Sequence, residues 1–417
     1  MSVPAPWFRM GGTLVVGLAM SAPAVAQEGL DADRYVEIVL RAHPSAARSA
    51  GLELAASAEK KASRPFPDPV FEYSRDRATP REAPGARVTE TGYSISQTIP
   101  WPGTLSAGGH AGDRAADALR AGAEGVRWEL GAQARQAFAR LAAARALLDV
   151  AHGAEEDARS LRDLVSRRAE LGESRESDRI KATVEWLRQQ RNLAAAEREA
   201  EASEAIVRAL AVEPLPAPLA IRPAVHKPLP QLDREALAAR IADRSPRLRA
   251  ARAEAERQRA LLSAAGRARI PDLDITVFKE KELDKEATGF AVGVKVPLWN
   301  GNRGEIARVD AASRISSAEA ARVRIELLTE LQGLLKELQV AGDQASLLDL
   351  EILPAARQSV ELVRLSFEEG ETSLLDLLDA QRTFREAQRE AAEAHLALSL
   401  ALGEVQKLAG PEFSPWR

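Results

Sequence analysis

The segment Gly92-Tyr-Ser-Ile-Ser-Gln-Thr-Ile-Pro-Trp-Pro-Gly103 has a counterpart about 200 residues later, Gly289-Phe-Ala-Val-Gly-Val-Lys-Val-Pro-Leu-Trp-Asn-Gly301. In each, apolar residues alternate: Tyr93, Ile95 and Ile99 in the first, Phe290, Val292, Val294 and Val296 in the second. A period of two over about ten residues marks a half-apolar strand. The proline that follows cannot donate to a ladder and ends it. A second alternating run precedes each segment (Phe71 and Tyr73; Leu273, Ile275 and Val277), across polar turns at 78–86 and 279–287. Each copy therefore reads as a hairpin.

Outward from the hairpins the correspondence continues in order. Arg41-Ala-His-Pro44 matches Asp243-Arg-Ser-Pro246, and Pro69-Val-Phe-Glu-Tyr73 matches Pro271-Asp-Leu-Asp-Ile275. Far downstream, Gly172-Glu-Ser174 with Asp178 matches Gly370-Glu-Thr372 with Asp376. The chain is a duplication of a whole half, 31–211 and 232–410, too long a period for a solenoid unit. The organisation predicted is a first repeat over 27–212, a linker over 213–230 with six prolines, a second repeat over 231–410 and a tail over 411–417. In the first repeat the strands are 69–77 and 88–99, and the long helices 104–171 and 174–212. In the second the strands are 271–279 and 288–298, and the long helices 302–367 and 373–409.

From 103 to 171 there is no proline and no strong turn cluster. At 1.5 Å per residue a helix there is about 100 Å long. Ala134, Ala137, Phe138, Leu141, Ala144 and Leu148 form a small-residue seam, which calls for equally long neighbours. Pro354 predicts a kink in the matching helix of the second half. The fold class is mainly α with a small β part. Four strands cannot close a barrel, and an open edge in lipid leaves unpaired backbone groups, so a spanning sheet requires several chains to pool hairpins. A soluble pair of hairpins packed on helices is the other reading of the same pattern.

Composition removes whole classes of chemistry. There are no cysteines, so disulfides, thiolate metal sites and lipoprotein acylation are excluded. A net charge of −4 displays no nucleic-acid footprint. The histidines, His43, His110, His152, His226 and His395, are scattered without metal-ligand spacing, and no phosphate loop or nucleophile elbow occurs. No cofactor, catalytic residue or resident metal is expected, and no enzyme activity. Arg9, the apolar run Gly11 to Met20, and Ala24-Val-Ala26 read as a signal peptide over 1–26, cut after Ala26.

These features resemble the TolC-like outer-membrane efflux family over essentially the whole mature chain. The local marks are Gln97-Thr-Ile-Pro-Trp-Pro-Gly103, Val296-Pro-Leu-Trp-Asn-Gly-Asn-Arg-Gly-Glu-Ile306, and Phe367-Glu-Glu-Gly370 leading to Leu374-Leu-Asp-Leu-Leu-Asp-Ala-Gln-Arg382. Their wording is most similar to the branch serving cobalt–zinc–cadmium resistance pumps. The resemblance implies a homotrimer with a twelve-stranded barrel in outer-membrane lipid, continued by a long α-helical barrel in the periplasm. It also implies a periplasmic adaptor and an inner-membrane RND-type pump as partners, and passive conduction of heavy-metal cations. Rival readings are a multidrug or type I secretion channel and, in another class, a periplasmic coiled-coil scaffold or adaptor.

The resemblance also assigns candidate roles. The helix–helix turns lie at the periplasmic tip, making Leu171, Gly172, Glu173 and Ser174, with Phe367, Gly370, Glu371 and Thr372, candidate adaptor-docking residues. Turn chemistry alone also explains the glycines, which suit a helix end with positive φ. Asp376 and Asp379, spaced i, i+3 on one helix face, match the acidic positions of the tunnel gate, with Asp178 equivalent in the first half and Lys181 replacing the second carboxylate. A start of the form Ser373-x-x-Asp376 is equally a capping box. Trp101 and Trp299 fall near the membrane boundary, where indoles are favoured, or pack at the strand–helix joint. Arg357 and Arg364 are basic candidates for pairing across helices.

Overall fold

The computed structural model describes residues 29–78, 87–222, 228–282, 285–294 and 301–415. The signal segment, Trp299 and His226 lie outside the described residues. The chain runs α1 (Ala32–Ala42), α2 (Pro44–Ala62), β1 (Val70–Ala78), β2 (Val88–Ile99), α3 (Pro102–Glu170) and α4 (Glu176–Ala211). The same order then recurs: α5 (Arg234–Arg244), α6 (Pro246–Arg267), β3 (Leu273–Lys281), β4 (Glu286–Val294), α7 (Arg303–Leu347), α8 (Leu353–Glu368) and α9 (Leu374–Ala409). Among the described residues no helix is long and apolar enough to cross a membrane.

The helices pack as a long shaft because their apolar seams are narrow and rich in alanine. Along the 69-residue α3, Ala134, Phe138, Leu141 and Ala144 are buried at helical spacing. Buried residues gather in several clusters strung along the shaft rather than in one core. One joins Tyr35 and Val39 of α1 to α3, α4 and Leu219 of the linker. Two more pack α7 against α9 and α5 against α7. The last lies at the far end, around Phe367. The linker is held along the shaft: Arg145 donates to Leu219 O at 2.6 Å, and Leu30 bridges Ile221.

The break between α7 and α8 is a π-helical turn, Leu348–Ile352, just ahead of Pro354. Leu353 donates to Leu348 O, one residue further back than in an α-helix. That wider turn accommodates a proline ring, which otherwise meets the carbonyl four residues earlier.

The two hairpins form one antiparallel sheet in the order β1-β2-β3-β4, so the halves meet through β2 and β3. The second hairpin reaches further into its turn than the sequence suggested. Strand pairing continues to Lys281 and Glu286, whose side chains meet at 3.4 Å, and Glu282 N–H donates to Lys285 O at 3.0 Å. Charge in this stretch marks exposed strand ends, not the turn alone.

Candidate functional site

The candidate groups lie in two regions: the paired helix turns at one end of the shaft, and the sheet at the other.

The turns share a backbone. At the first, Glu173 N–H donates to Arg168 O at 2.8 Å and Gly172 N–H to Ala169 O at 3.0 Å. At the second, Glu371 N–H donates to Ser366 O at 2.8 Å and Gly370 N–H to Phe367 O at 3.2 Å. Gly172 and Gly370 sit at φ 79° and 81°, the left-handed conformation that closes this helix-ending motif and strains any side chain with a Cβ. Leu171, Gly172, Glu173, Gly370 and Glu371 are exposed, and Ser174 and Thr372 half-buried. Phe367 departs from the docking assignment. It is only 8% exposed, packed with Leu161, Val165, Ala182, Leu374 and Leu377. An aromatic ring beside a turn reads as exposed until the other half of the chain is laid over it.

What lies over it is Arg168. Its guanidinium donates to Phe367 O at 3.3 Å and Glu368 O at 2.9 Å, and stands 5.4 Å from the Phe367 ring centroid. The end of α3 thus satisfies carbonyls left over at the end of α8, where a cation also suits the helix dipole. The sequence reading missed Arg168; a basic residue one turn before a helix-ending glycine was its only signal.

The carboxylates differ between the turns. Asp376 Oδ2 accepts from Ser373 N–H at 3.1 Å and from the Ser373 hydroxyl at 2.6 Å, while Asp376 N–H donates to Ser373 Oγ at 3.3 Å. This capping box is complete. The Ser373 hydroxyl, and then its N–H, hold the Asp376 carboxyl below its ordinary value. Asp379 is exposed on the same helix. In the first half α4 has no side-chain cap, and Asp178 instead faces Lys181 at 3.5 Å. Arg357 lies 5.9 Å from the Phe384 ring of α9, whereas Arg364 pairs with Glu368 on its own helix at 3.2 Å.

Further up the shaft, polar groups tie neighbouring helices. Arg385 of α9 meets Glu185 of α4 at 3.1 Å, both side chains 17% exposed. Glu155 is buried and accepts from Trp186 Nε1 and from Arg159, each at 2.8 Å, with Arg162 4.0 Å over the Trp186 ring. The Trp186 hydrogen bond, then Arg159, keep Glu155 ionised by lowering its pKa. Among the described residues no group of three His, Asp or Glu is arranged to hold a metal ion. His43 caps α2, and His395 Nε2 lies 3.1 Å from Asp349 Oδ1 in the π turn.

In the sheet, register sorts the side chains onto two unlike faces. One carries Phe71, Ile95, Val277 and Phe290 in a single cross-strand row, with Ile275 and Val292, then Ile99, Leu273 and Val294, in the rows towards the helices. These residues are largely exposed. Tyr73 and Tyr93 pack with tilted rings in the next row, their centroids 5.1 Å apart. The other face carries carboxylates and hydroxyls, with Val70, Val88 and Phe278 as its larger apolar residues. Ser96 bonds Thr276 at 2.9 Å, and Thr98 donates to Asp274 at 2.5 Å. In the described strands this face also holds Glu72, Asp76, Glu90 and Glu280 and no lysine or arginine. Below the sheet, the Trp101 side chain is 47% exposed, and the Trp101 backbone N–H donates to Asp272 Oδ1 at 2.9 Å at the strand–helix joint.

Comparison with known proteins assigns this arrangement to a lineage. The family model described as outer membrane efflux protein matches twice, at 48–211 and 237–411, once in each half. The cobalt-zinc-cadmium resistance protein CzcC of Cupriavidus metallidurans is 27% identical over 291 residues, 68% of each chain. Among solved structures, the outer-membrane channel OprN superposes with a TM-score of 0.75 at 18% identity, covering 91% of this chain and 89% of that one. CusC gives 0.73 at 16% identity, covering 91% and 92%. VceC of Vibrio cholerae gives 0.72 at 17%, covering 91% and 96%.

Proposed function

The chain belongs to the outer membrane efflux protein family, and on that premise we propose that it is the outer-membrane subunit of a tripartite efflux system for divalent heavy-metal cations. Three chains pool their sheets into a closed barrel in lipid, exported there by the N-terminal signal. The shaft extends into the periplasm, where its tip meets an adaptor and an inner-membrane pump. The family and fold are those of channels, and this subunit conducts without catalysing a reaction.

The observation that carries the cation reading is the carboxylate-bearing face of the sheet. If the apolar face meets lipid, Glu72, Asp76, Glu90, Asp274 and Glu280 line the lumen, with no basic residue among the described strand positions on that side. Repeated in three chains, such carboxylates repel one another and draw in mobile cations. A wet carboxylate wall attracts metal ions without holding them, which suits a conduit. The likeness to CzcC supports the same cargo. At the tip, Asp376 and Asp379 add carboxylates on α9, and we assign them with Asp178 to the gate. Leu171, Gly172, Glu173, Ser174, Gly370, Glu371 and Thr372 are the adaptor-facing surface.

The test is cellular accumulation of Zn, Co, Cd, Ni and Cu, with a dye as control, in a strain lacking the gene. Complementation uses the wild type or a Glu72→Gln, Asp76→Asn, Glu280→Gln variant. Metal retention in the deletion, relieved by the wild type and less so by the variant, is the expected result. Retention of dye but not metal would leave the channel standing and move the cargo to organic compounds.

A further inference from the structure

The apolar face of the sheet ends in a band of positive charge. Above the Tyr73–Tyr93 row, which also holds Lys279, the same face continues with Arg75 and Lys281, then Arg77. All four basic side chains are exposed. The one acidic residue on this face in the described strands is Glu286, 3.4 Å from Lys281. The carboxylates of β1, Glu72 and Asp76, point the other way. Arg75 and Arg77 alternate with them, so the charge is sorted by face within a single strand.

Height along the sheet adds a second argument. From Ile99 to Thr91, the β2 residue beside Arg75 and Lys281, is eight residues, roughly 27 Å of strand at about 3.4 Å each. Tilted by about 40°, that is roughly 20 Å of height, close to the ~25 Å apolar band of a barrel in an outer membrane. Trp101 marks the lower margin and the tyrosine pair the upper. The basic residues emerge where hydrocarbon gives way to headgroups.

We propose that Arg75, Arg77, Lys279 and Lys281 form a docking surface for phosphate-bearing lipid headgroups in the leaflet at the hairpin end of the barrel. The proposal rests on the channel reading, which sets the apolar face in lipid. Guanidinium groups pair with phosphate oxygens bidentately, and lysines add point charge. Repeated in three chains, the residues form a belt that anchors the barrel's depth and bridges neighbouring anionic lipids.

The experiment uses the purified full-length trimer in neutral nanodiscs doped with a diphosphoryl glycolipid of the lipid A type, or with the same lipid stripped of phosphate. Retained lipid is counted by native mass spectrometry, and conductance is read on the same preparation. The wild type is expected to retain the phosphorylated lipid at least about tenfold better than the stripped one, with the preference weakening at high salt. Arg75→Gln with Arg77→Gln, Lys279→Gln and Lys281→Gln should abolish that preference and still conduct. If the fourfold variant does not assemble, the Arg75→Gln/Arg77→Gln and Lys279→Gln/Lys281→Gln pairs are each expected to lower the preference about threefold. Equal retention of both lipids by a conducting wild-type trimer overturns the inference and leaves the channel reading intact. So does displacement by millimolar inorganic phosphate, which would make the site one for the free anion. A preparation that neither assembles nor conducts defeats the channel reading itself.

Discussion

At both ends of the duplicated shaft turn, a glycine near φ 80° closes the first helix by the same two hydrogen bonds, yet the helix that follows begins differently. The second half starts α9 with the reciprocal Ser373–Asp376 cap and carries Asp379 one turn on. The first half starts α4 on Arg175 with no side-chain cap, binds Asp178 to Lys181, and clamps Glu176 to Arg179. Duplication preserved the backbone requirement and released the side chains. One turn concentrates negative charge, and its twin neutralises it. The second turn also leans on the first, through Phe367 and the Arg168 guanidinium.

That dependence should yield the largest effect. Phe367→Ala opens a cavity in the cluster shared by both halves and is expected to cost about 3 kcal/mol of local stability. Leu171→Ala, at the equivalent turn but 73% exposed, should change it by less than about 0.5 kcal/mol. Hydrogen exchange of the turn amides in the purified protein measures both. Similar protection losses in the two variants would mean that the turns are supported alike. Next in size is Arg168→Ala, which strips two carbonyl partners from the end of α8. Because the site is half-open to water, about 1–2 kcal/mol is expected. Faster exchange in α8 than in α3 would mark Arg168 as serving the other half rather than its own helix.

Capping sharpens the contrast at smaller scale. Ser373→Ala should destabilise the start of α9 by about 1 kcal/mol, while Arg175→Ala should leave α4 unchanged within about 0.3 kcal/mol. Arg175→Ser places a hydroxyl three residues before Asp178 and should stabilise α4 by up to about 1 kcal/mol. Helix-start amide protection checks all three. No gain from Arg175→Ser would show that Lys181 holds Asp178 away from the cap.

Much of this architecture is written in local pattern. Alternation in Gly92-Tyr-Ser-Ile-Ser and its counterpart specifies strands, and the proline-free run ahead of Gly172 specifies a long helix, because periods of two and 3.6 are properties of neighbouring residues. The glycines at both turns were legible because positive φ restricts residue choice at a single position. Relations between distant segments were not. Phe367 looks exposed in sequence and is buried by residues of the other half. Arg385 and Glu185 meet across 200 positions without any spacing to announce it. The acidic face of the sheet needed register as well as alternation. Glu72 and Asp76 share a face within one strand, but Asp274 and Glu280 join them only once β2 is paired with β3.

The smallest effect on stability belongs to the carboxylates, and it is read in conduction. Asp376→Ala with Asp379→Ala should raise conductance or reduce cation preference of the trimer in planar bilayers by about twofold, since exposed charges are screened within about 10 Å at physiological salt. Lys181→Ala, in the neutralised twin, should move cation preference the opposite way. Acid offers an independent check without mutation. The folded-state pKa of Asp376 is depressed by its cap, so the cap's stabilising contribution is complete above the ordinary carboxylate range. It is lost only as pH falls through the lower folded value. If Asp376 carries gate charge, its share of the cation preference is lost together with helix-start protection of α9. Should protection fail while preference persists, or the double variant conduct as the wild type does, Asp376 would be a helix cap and selectivity would belong to the sheet.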